Sequence, residues 1–164
     1  MPNLKIFTLF KLILIISLIS ICTAYFIQHV LGYQPCNLCL IERIPYALSL
    51  ILIITGLIYK KHEKFIILLL ILIFAFSFII STYHLGIEQG LFKESTICGL
   101  KDSSEILSKE ELLKILNERN ISCKDVTFKI LGFSLTTINM VISLILTILL
   151  IITFTKYGKF KKKG

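Results

Sequence analysis

Gln28-His29-Val30-Leu31-Gly32-Tyr33-Gln34-Pro35-Cys36-Asn37-Leu38-Cys39-Leu40-Ile41-Glu42-Arg43-Ile44-Pro45 is a short polar joint between two apolar runs. Upstream the chain is uncharged back to Leu12, and downstream it is uncharged from Ile44 to Tyr59. Gly32, Gln34 and Pro35 read as a turn, so the two runs return antiparallel. At about 1.5 Å per residue the first run is long enough to cross a hydrocarbon layer of roughly 30 Å. The second has 16 uncharged residues, which cover only about 24 Å unless Leu40 and Ile41 join it and the flanking charges snorkel. That shortage places Arg43 at a membrane surface.

Two further uncharged runs, 65–87 and 130–155, are rich in Ile, Leu and Phe, and each can cross with some tilt. The whole chain of 164 residues is 55% hydrophobic and 17% charged, with a mean hydropathy of +0.86. This balance excludes a water-soluble globule, a disordered chain and a collagen-like fibre. The sequence therefore predicts a single all-α integral-membrane domain over residues 1–164. It is a bundle of four transmembrane helices near 10–31, 40–59, 65–86 and 130–155, with outward loops at 32–39 and 87–129. The first run is too long for a signal h-region and lacks a small-x-small cleavage site, so it reads as a retained helix. Bulky Ile21 precedes Cys22, which does not fit a lipoprotein cysteine; Cys22 is expected to be a buried helix thiol.

With both termini and the loop around 60–64 on one side, that side holds ten Lys and Arg against one acid, Glu63, and the other side holds eight basic and nine acidic residues. Short basic loops face the cytoplasm, so both termini are expected inside and both cysteine-bearing loops outside. The net charge of +8 fits this topology better than nucleic-acid binding, because no basic stripe with interleaved aromatics is present. In the second loop, Ser108 and Glu111 form a capping-box pattern ahead of an apolar stripe, which predicts a short amphipathic helix.

Four of the five cysteines fall in the two outward loops and none on the cytoplasmic side. Disulfides persist outside a bacterial inner membrane or in a secretory lumen, so the reading is two disulfides, or one thiol relay built of two pairs. Cys36 and Cys39 form a C-x-x-C, open to three readings: an exchanging redox pair, a structural disulfide, or half of a zinc site. No complete metal-ligand set accompanies it, and no metal is expected. Cys98 and Cys123 have 24 residues between them; closing such a loop contributes roughly 3–4 kcal/mol in the chain-entropy treatment, so a structural role is a serious alternative there.

Arg43 lies four residues beyond Cys39. If the second helix has begun by then, guanidinium and thiol share a face, and the charge and helix N-terminus depress the Cys39 thiol, with Glu42 partly offsetting them. Pro45 supports a helix start near this point. The segment has no haem-attachment, dinucleotide or metal signature, so a lipid-soluble quinone is the natural electron acceptor. Arg43 is placed to meet a quinone carbonyl. His84, at the outer end of the third run, offers a second polar contact or a proton, although most Tyr-His pairs at that depth are interfacial anchors. Gln28 and His29 are weaker candidates at the same level.

These residues resemble the bacterial disulfide bond formation protein B (DsbB) family. The carrying motifs are Gln28-His29-Val30, Pro35-Cys36-Asn37-Leu38-Cys39, Glu42-Arg43 and Tyr83-His84-Leu85-Gly86-Ile87-Glu88. Cys98 and Cys123 occupy the positions of the family's second redox pair, and Cys123 through Gly132-Phe133-Ser134 is similar to its entry into the fourth helix. The resemblance implies a membrane thiol:quinone oxidoreductase whose catalytic residues are Cys36, Cys39, Cys98 and Cys123. Arg43 and His84 would bind the cofactor, ubiquinone or menaquinone. It also implies a partner, a periplasmic thioredoxin-fold thiol oxidase of the DsbA type, attacking the Cys98–Cys123 disulfide, with Cys98 favoured for attack. Two departures stand out: the chain has no Trp, with Phe128 where many members carry one, and no proline directly precedes Cys98. The competing class is a non-catalytic membrane scaffold with structural disulfides. A quinone-linked reductase of the vitamin K epoxide reductase type normally places its C-x-x-C elsewhere along the bundle.

Overall fold

The computed structural model describes residues 2–59, 62–93, 98, 122–124, 128–130 and 132–161. Its elements are α1 (Pro2–His29), α2 (Asn37–Ile41), α3 (Ile44–Ile58), α4 (Glu63–Glu88), the hairpin strands β1 (Lys129–Ile130) and β2 (Phe133–Ser134), and α5 (Leu135–Lys161). Four spans are long and apolar enough to cross a membrane: Ile6–His29, Asn37–Ile58, Glu63–Glu88 and Leu135–Lys156. The chain is a four-helix membrane protein. α4 packs most extensively on α5, α1 packs on α3, and α3 on α4.

Each helix turns one stripe inward at alternating steps of three and four residues, the period that keeps side chains on one face. On α4 the stripe is Ile67, Leu70, Phe74, Ser77, Ser81 and His84, all buried. On α5 it is Thr136, Ser143, Leu146 and Leu150, with half-buried Asn139 between them. At one end the stripes are apolar and form the core around Phe10, Ile13, Ile53, Ile67, Phe74 and Leu150. Toward the cysteine end they become polar. Hydroxyl pairs mark the change: Ser17 meets Ser49 at 2.8 Å between α1 and α3, and Ser77 meets Ser143 at 2.9 Å between α4 and α5. Such bonds average about 0.6 kcal/mol in membrane bundles. The outward faces stay apolar, with Ile51, Leu72, Phe76 and Ile79 exposed as lipid requires.

The observed boundaries differ from the sequence expectations for local reasons. Helix begins at Asn37, inside the expected 32–39 loop, because Cys36 is an N-cap whose Sγ accepts the Cys39 amide at 3.3 Å. The second span is two helices rather than one. Pro45 has no N–H to bond the Ile41 carbonyl, so the ladder breaks at Glu42 and Arg43. The fourth span starts at Leu135 rather than near 130, because the chain first makes the antiparallel hairpin, turning at Gly132 with φ +88. Ser134 then caps the helix, its Oγ accepting the Thr137 amide at 3.2 Å. Cys22 is exposed, not buried, because it lies off the Phe10, Ile13, Ser17 and Ile27 stripe of α1. The amphipathic helix expected from Ser108 and Glu111 lies outside the described residues.

Candidate functional site

Cys36 and Cys39 sit one turn apart at the N-terminus of α2, with their sulfurs 2.6 Å apart. Cys98 and Cys123 are disulfide-bonded, with Cα atoms 5.6 Å apart. Both pairs share one buried cluster, in which Cys36, Cys98 and Cys123 pack with Leu38 and Ile87 and are flanked by Cys39, Ile41 and Tyr83. The four cysteines named from the sequence are thus gathered at one end of the bundle, although 62 positions separate the first from the third.

Just beyond α4 the chain folds back onto it at Leu91 and Phe92. Leu91 and Phe92 both donate backbone N–H bonds to the Gly86 carbonyl, at 2.8 and 3.2 Å. The Phe92 ring stacks on Tyr83 and lies over Gly86, where an added Cβ would sit 2.2 Å from a ring carbon. Only glycine permits that approach.

His84 is 1% exposed and is therefore not an interfacial anchor. It is inward because it closes the α4 stripe. Its Nε2 lies 3.6 Å from the Cys36 sulfur, and its Nδ1 lies 2.9 Å from the Glu42 carboxylate and 3.3 Å from the Thr136 hydroxyl. Glu42 is held in turn by Asn139, whose Nδ2 donates to Oε2 at 2.9 Å and to the Ser81 hydroxyl at 2.7 Å. Tyr46 donates its hydroxyl to the Asn139 side-chain oxygen. Thr136 donates to Glu88 at 2.6 Å. A network of this kind leaves few buried polar atoms without partners, as an apolar surround demands.

Arg43 departs from the geometry expected of it. Its Nη1 donates to the Gln28 side-chain oxygen at 2.6 Å, and its guanidinium lies over the Tyr25 ring at 5.4 Å. The α2–α3 break turns it toward α1, so among the described residues its side-chain partners are on α1 and not at Cys39. Gln28 therefore orients it, whereas His29 is exposed and stacks on Tyr25. The thiol pulled down is Cys36, just outside the second span. The Cys39 amide donates to its sulfur at 3.3 Å and His84 Nε2 stands 3.6 Å away, and both contacts favour a thiolate there, against burial, which pushes the thiol up.

A cavity of about 310 Å³ opens beside these groups. Cys36, Cys39, Arg43 and His84 line it with Cys123 and Phe128. Its far walls are apolar residues of α1 and α5, including Ile19, Ile27, Ile138 and Ile142. At the rim, Phe128 meets Tyr33 with ring centroids 5.2 Å apart. An apolar slot with a few convergent polar groups suits a flat, lipid-soluble ring. Sequence reasoning missed Thr136 and Asn139; the available signal was an amide and a hydroxyl inside a membrane-spanning run, where polar groups are costly.

Comparison with known proteins agrees with this arrangement. The family described as disulfide bond formation protein DsbB matches residues 7–153. An uncharacterised protein of Rickettsia prowazekii (strain Madrid E) is 34% identical over 137 residues, covering 82% of this chain and 80% of the relative. No solved structure matches the chain.

Proposed function

The chain belongs to the DsbB family of disulfide-formation membrane proteins, and from that premise we propose that it oxidises a soluble thioredoxin-fold thiol oxidase of the DsbA type and delivers the electrons to membrane quinone. The observation that carries this reading is the cavity wall. Cys36, Cys39 and Arg43 face one apolar slot, and the Cys98–Cys123 disulfide packs against the same C-x-x-C.

The relay balances in disulfide exchanges. A partner thiolate attacks the Cys98–Cys123 bond, a mixed disulfide forms, and the second partner thiol releases an oxidised partner and a Cys98/Cys123 dithiol. That dithiol reduces the Cys36–Cys39 disulfide by the same chemistry. Ubiquinone or menaquinone, when bound, supplies the sink for two electrons and two protons. Arg43, oriented by Gln28, presents a cation to a carbonyl oxygen on which charge grows. His84 holds or passes a proton at Nε2 beside the Cys36 sulfur. Tyr33 and Phe128 close the rim against water.

The topology proposed with this reading has both termini in the cytoplasm and the cysteine end at the periplasmic face of an inner membrane. Lysine and arginine concentrated on the opposite end support it. Protein reconstituted with quinone and reduced partner should turn over, and Cys39→Ser should abolish turnover. Wild-type-like activity in that variant rejects the assignment, and absence of turnover in the wild-type protein favours a scaffold.

A further inference from the structure

We propose that the Cys36–Cys39 pair, once reduced, binds one Zn²⁺ together with His84, as a three-ligand thiolate–imidazole site whose fourth position opens on the cavity. The two sulfurs and a His84 ring nitrogen all lie within 4.8 Å of one another. In a tetrahedral zinc site, bonds of about 2.3 Å to sulfur and about 2.05 Å to nitrogen set an S···N edge of about 3.6 Å. The Cys36 sulfur stands 3.6 Å from His84 Nε2. The S···S edge of such a site is about 3.8 Å, so Cys39, the less buried sulfur, has to swing away from its present 2.6 Å. Reduction requires that separation in any case, because two unbonded sulfurs do not remain so close.

The surroundings match what zinc-bound imidazoles are given elsewhere. A ligating histidine donates its other ring N–H to a carboxylate, which fixes the tautomer and raises ligand basicity. His84 Nδ1 faces Glu42 at 2.9 Å, leaving the Nε2 lone pair aimed at the sulfurs. Asn139 fixes the second oxygen of Glu42. Glu88, whose Oε1 is 4.0 Å from Nε2, stands next to the open position and adds negative charge beside a dication. Two cysteines and one histidine with a free fourth site is a ligand set that zinc takes in enzymes.

Binding moves no electrons: each sulfur that is still a thiol gives its proton to solvent, two Zn–S bonds and one Zn–N bond form, and water ligands of the aqueous ion are released. Disulfide formation removes both sulfur ligands, so metal and oxidised pair exclude one another. Zinc would therefore hold the pair reduced and close the electron exit. This is an equilibrium property of the two sulfurs and the imidazole, whatever their electron acceptor.

The test uses the full chain in lipid nanodiscs with Cys22→Ala, Cys98→Ser and Cys123→Ser, so that Cys36 and Cys39 are the only thiols, without quinone or partner. Co²⁺ is titrated into the reduced protein and then displaced with Zn²⁺. One Co²⁺ per chain, with thiolate charge-transfer and tetrahedral visible bands that vanish on adding Zn²⁺, is the expected result, with none in the oxidised protein. Glu42→Gln should weaken binding about ten- to a hundredfold, and His84→Ala should lose the tetrahedral spectrum. Absence of the bands in the reduced protein overturns the site. So does binding by His84→Ala as tight as that of its parent. Neither result depends on turnover, so a failure of quinone reduction is read separately.

Discussion

His84 on α4 and Glu42 at the α2–α3 break meet at 2.9 Å, 42 positions apart in the chain, and this contact ties the helix bearing the C-x-x-C to the rest of the bundle. Through it the imidazole is aimed at Cys36. Glu42→Ala removes the acceptor for both His84 Nδ1 and one Asn139 N–H. A buried group left without its partner costs about 1–3 kcal/mol, so the variant should unfold at lower temperature in nanodiscs, and Glu42→Gln should recover part of the loss. Equal midpoints for Glu42→Ala and wild type would show that the contact contributes nothing.

Arg43 and Gln28 act as a unit if the guanidinium serves a quinone carbonyl. A hydrogen bond to a charged group contributes about 1.5–3 kcal/mol. Arg43→Ala should therefore raise the KM for quinone roughly ten- to a hundredfold, while disulfide exchange with the thiol partner stays near wild type. Gln28→Ala, which only frees the side chain, should have a smaller effect in the same direction. Equal losses in both half-reactions would remove this role from Arg43.

A Cys36 thiolate, favoured by the Cys39 amide and by His84, fixes how the pair's reduction potential moves with pH. It stabilises the reduced form above the pKa of that thiol, which makes the disulfide a stronger oxidant than an ordinary pair. That advantage is lost as pH falls through the same pKa. Near neutrality one proton accompanies the two electrons, so the potential should fall by about 30 mV per pH unit, against about 59 mV when two protons are taken up. Redox titration of the C-x-x-C in a Cys98→Ser/Cys123→Ser protein reads the slope. The two-proton slope across pH 5–7 would place the Cys36 thiol in the ordinary range.

Gly86 anchors Leu91 and Phe92, just beyond the end of α4. A methyl group there meets the Phe92 ring at 2.2 Å, so Gly86→Ala must displace Phe92 and loosen the anchor beside Tyr83. Slower exchange with the thiol partner is expected, with quinone reduction by the reduced C-x-x-C unchanged. Loss confined to the quinone step would contradict this division.

What could be read in the chain was what is local. Four apolar runs and a C-x-x-C at a polar joint need only neighbouring residues to be recognised, and Pro45 marked a helix start before any contact was known. Cys22 was misjudged because an apolar run has no polar face from which to tell inside from lipid. The contacts of Arg43 with α1 were not legible, because a spacing of four implies a shared face with Cys39 only if the helix continues, and it breaks at Glu42. Asn139 bonds a residue 97 positions away, and no periodicity in α5 announces that partner. The stripe Ile67, Leu70, Phe74, Ser77, Ser81, His84 was legible in principle; its spacing already places His84 inward.

The direct test is a single turnover without the thiol partner. Anaerobically reduced Cys98→Ser/Cys123→Ser protein is mixed with quinone, and the loss of quinone absorbance is counted against thiols consumed. One quinone reduced per Cys36–Cys39 disulfide formed, and none when Cys39→Ser is added, is the expected result. Thiols that stay reduced in the presence of excess quinone would contradict it.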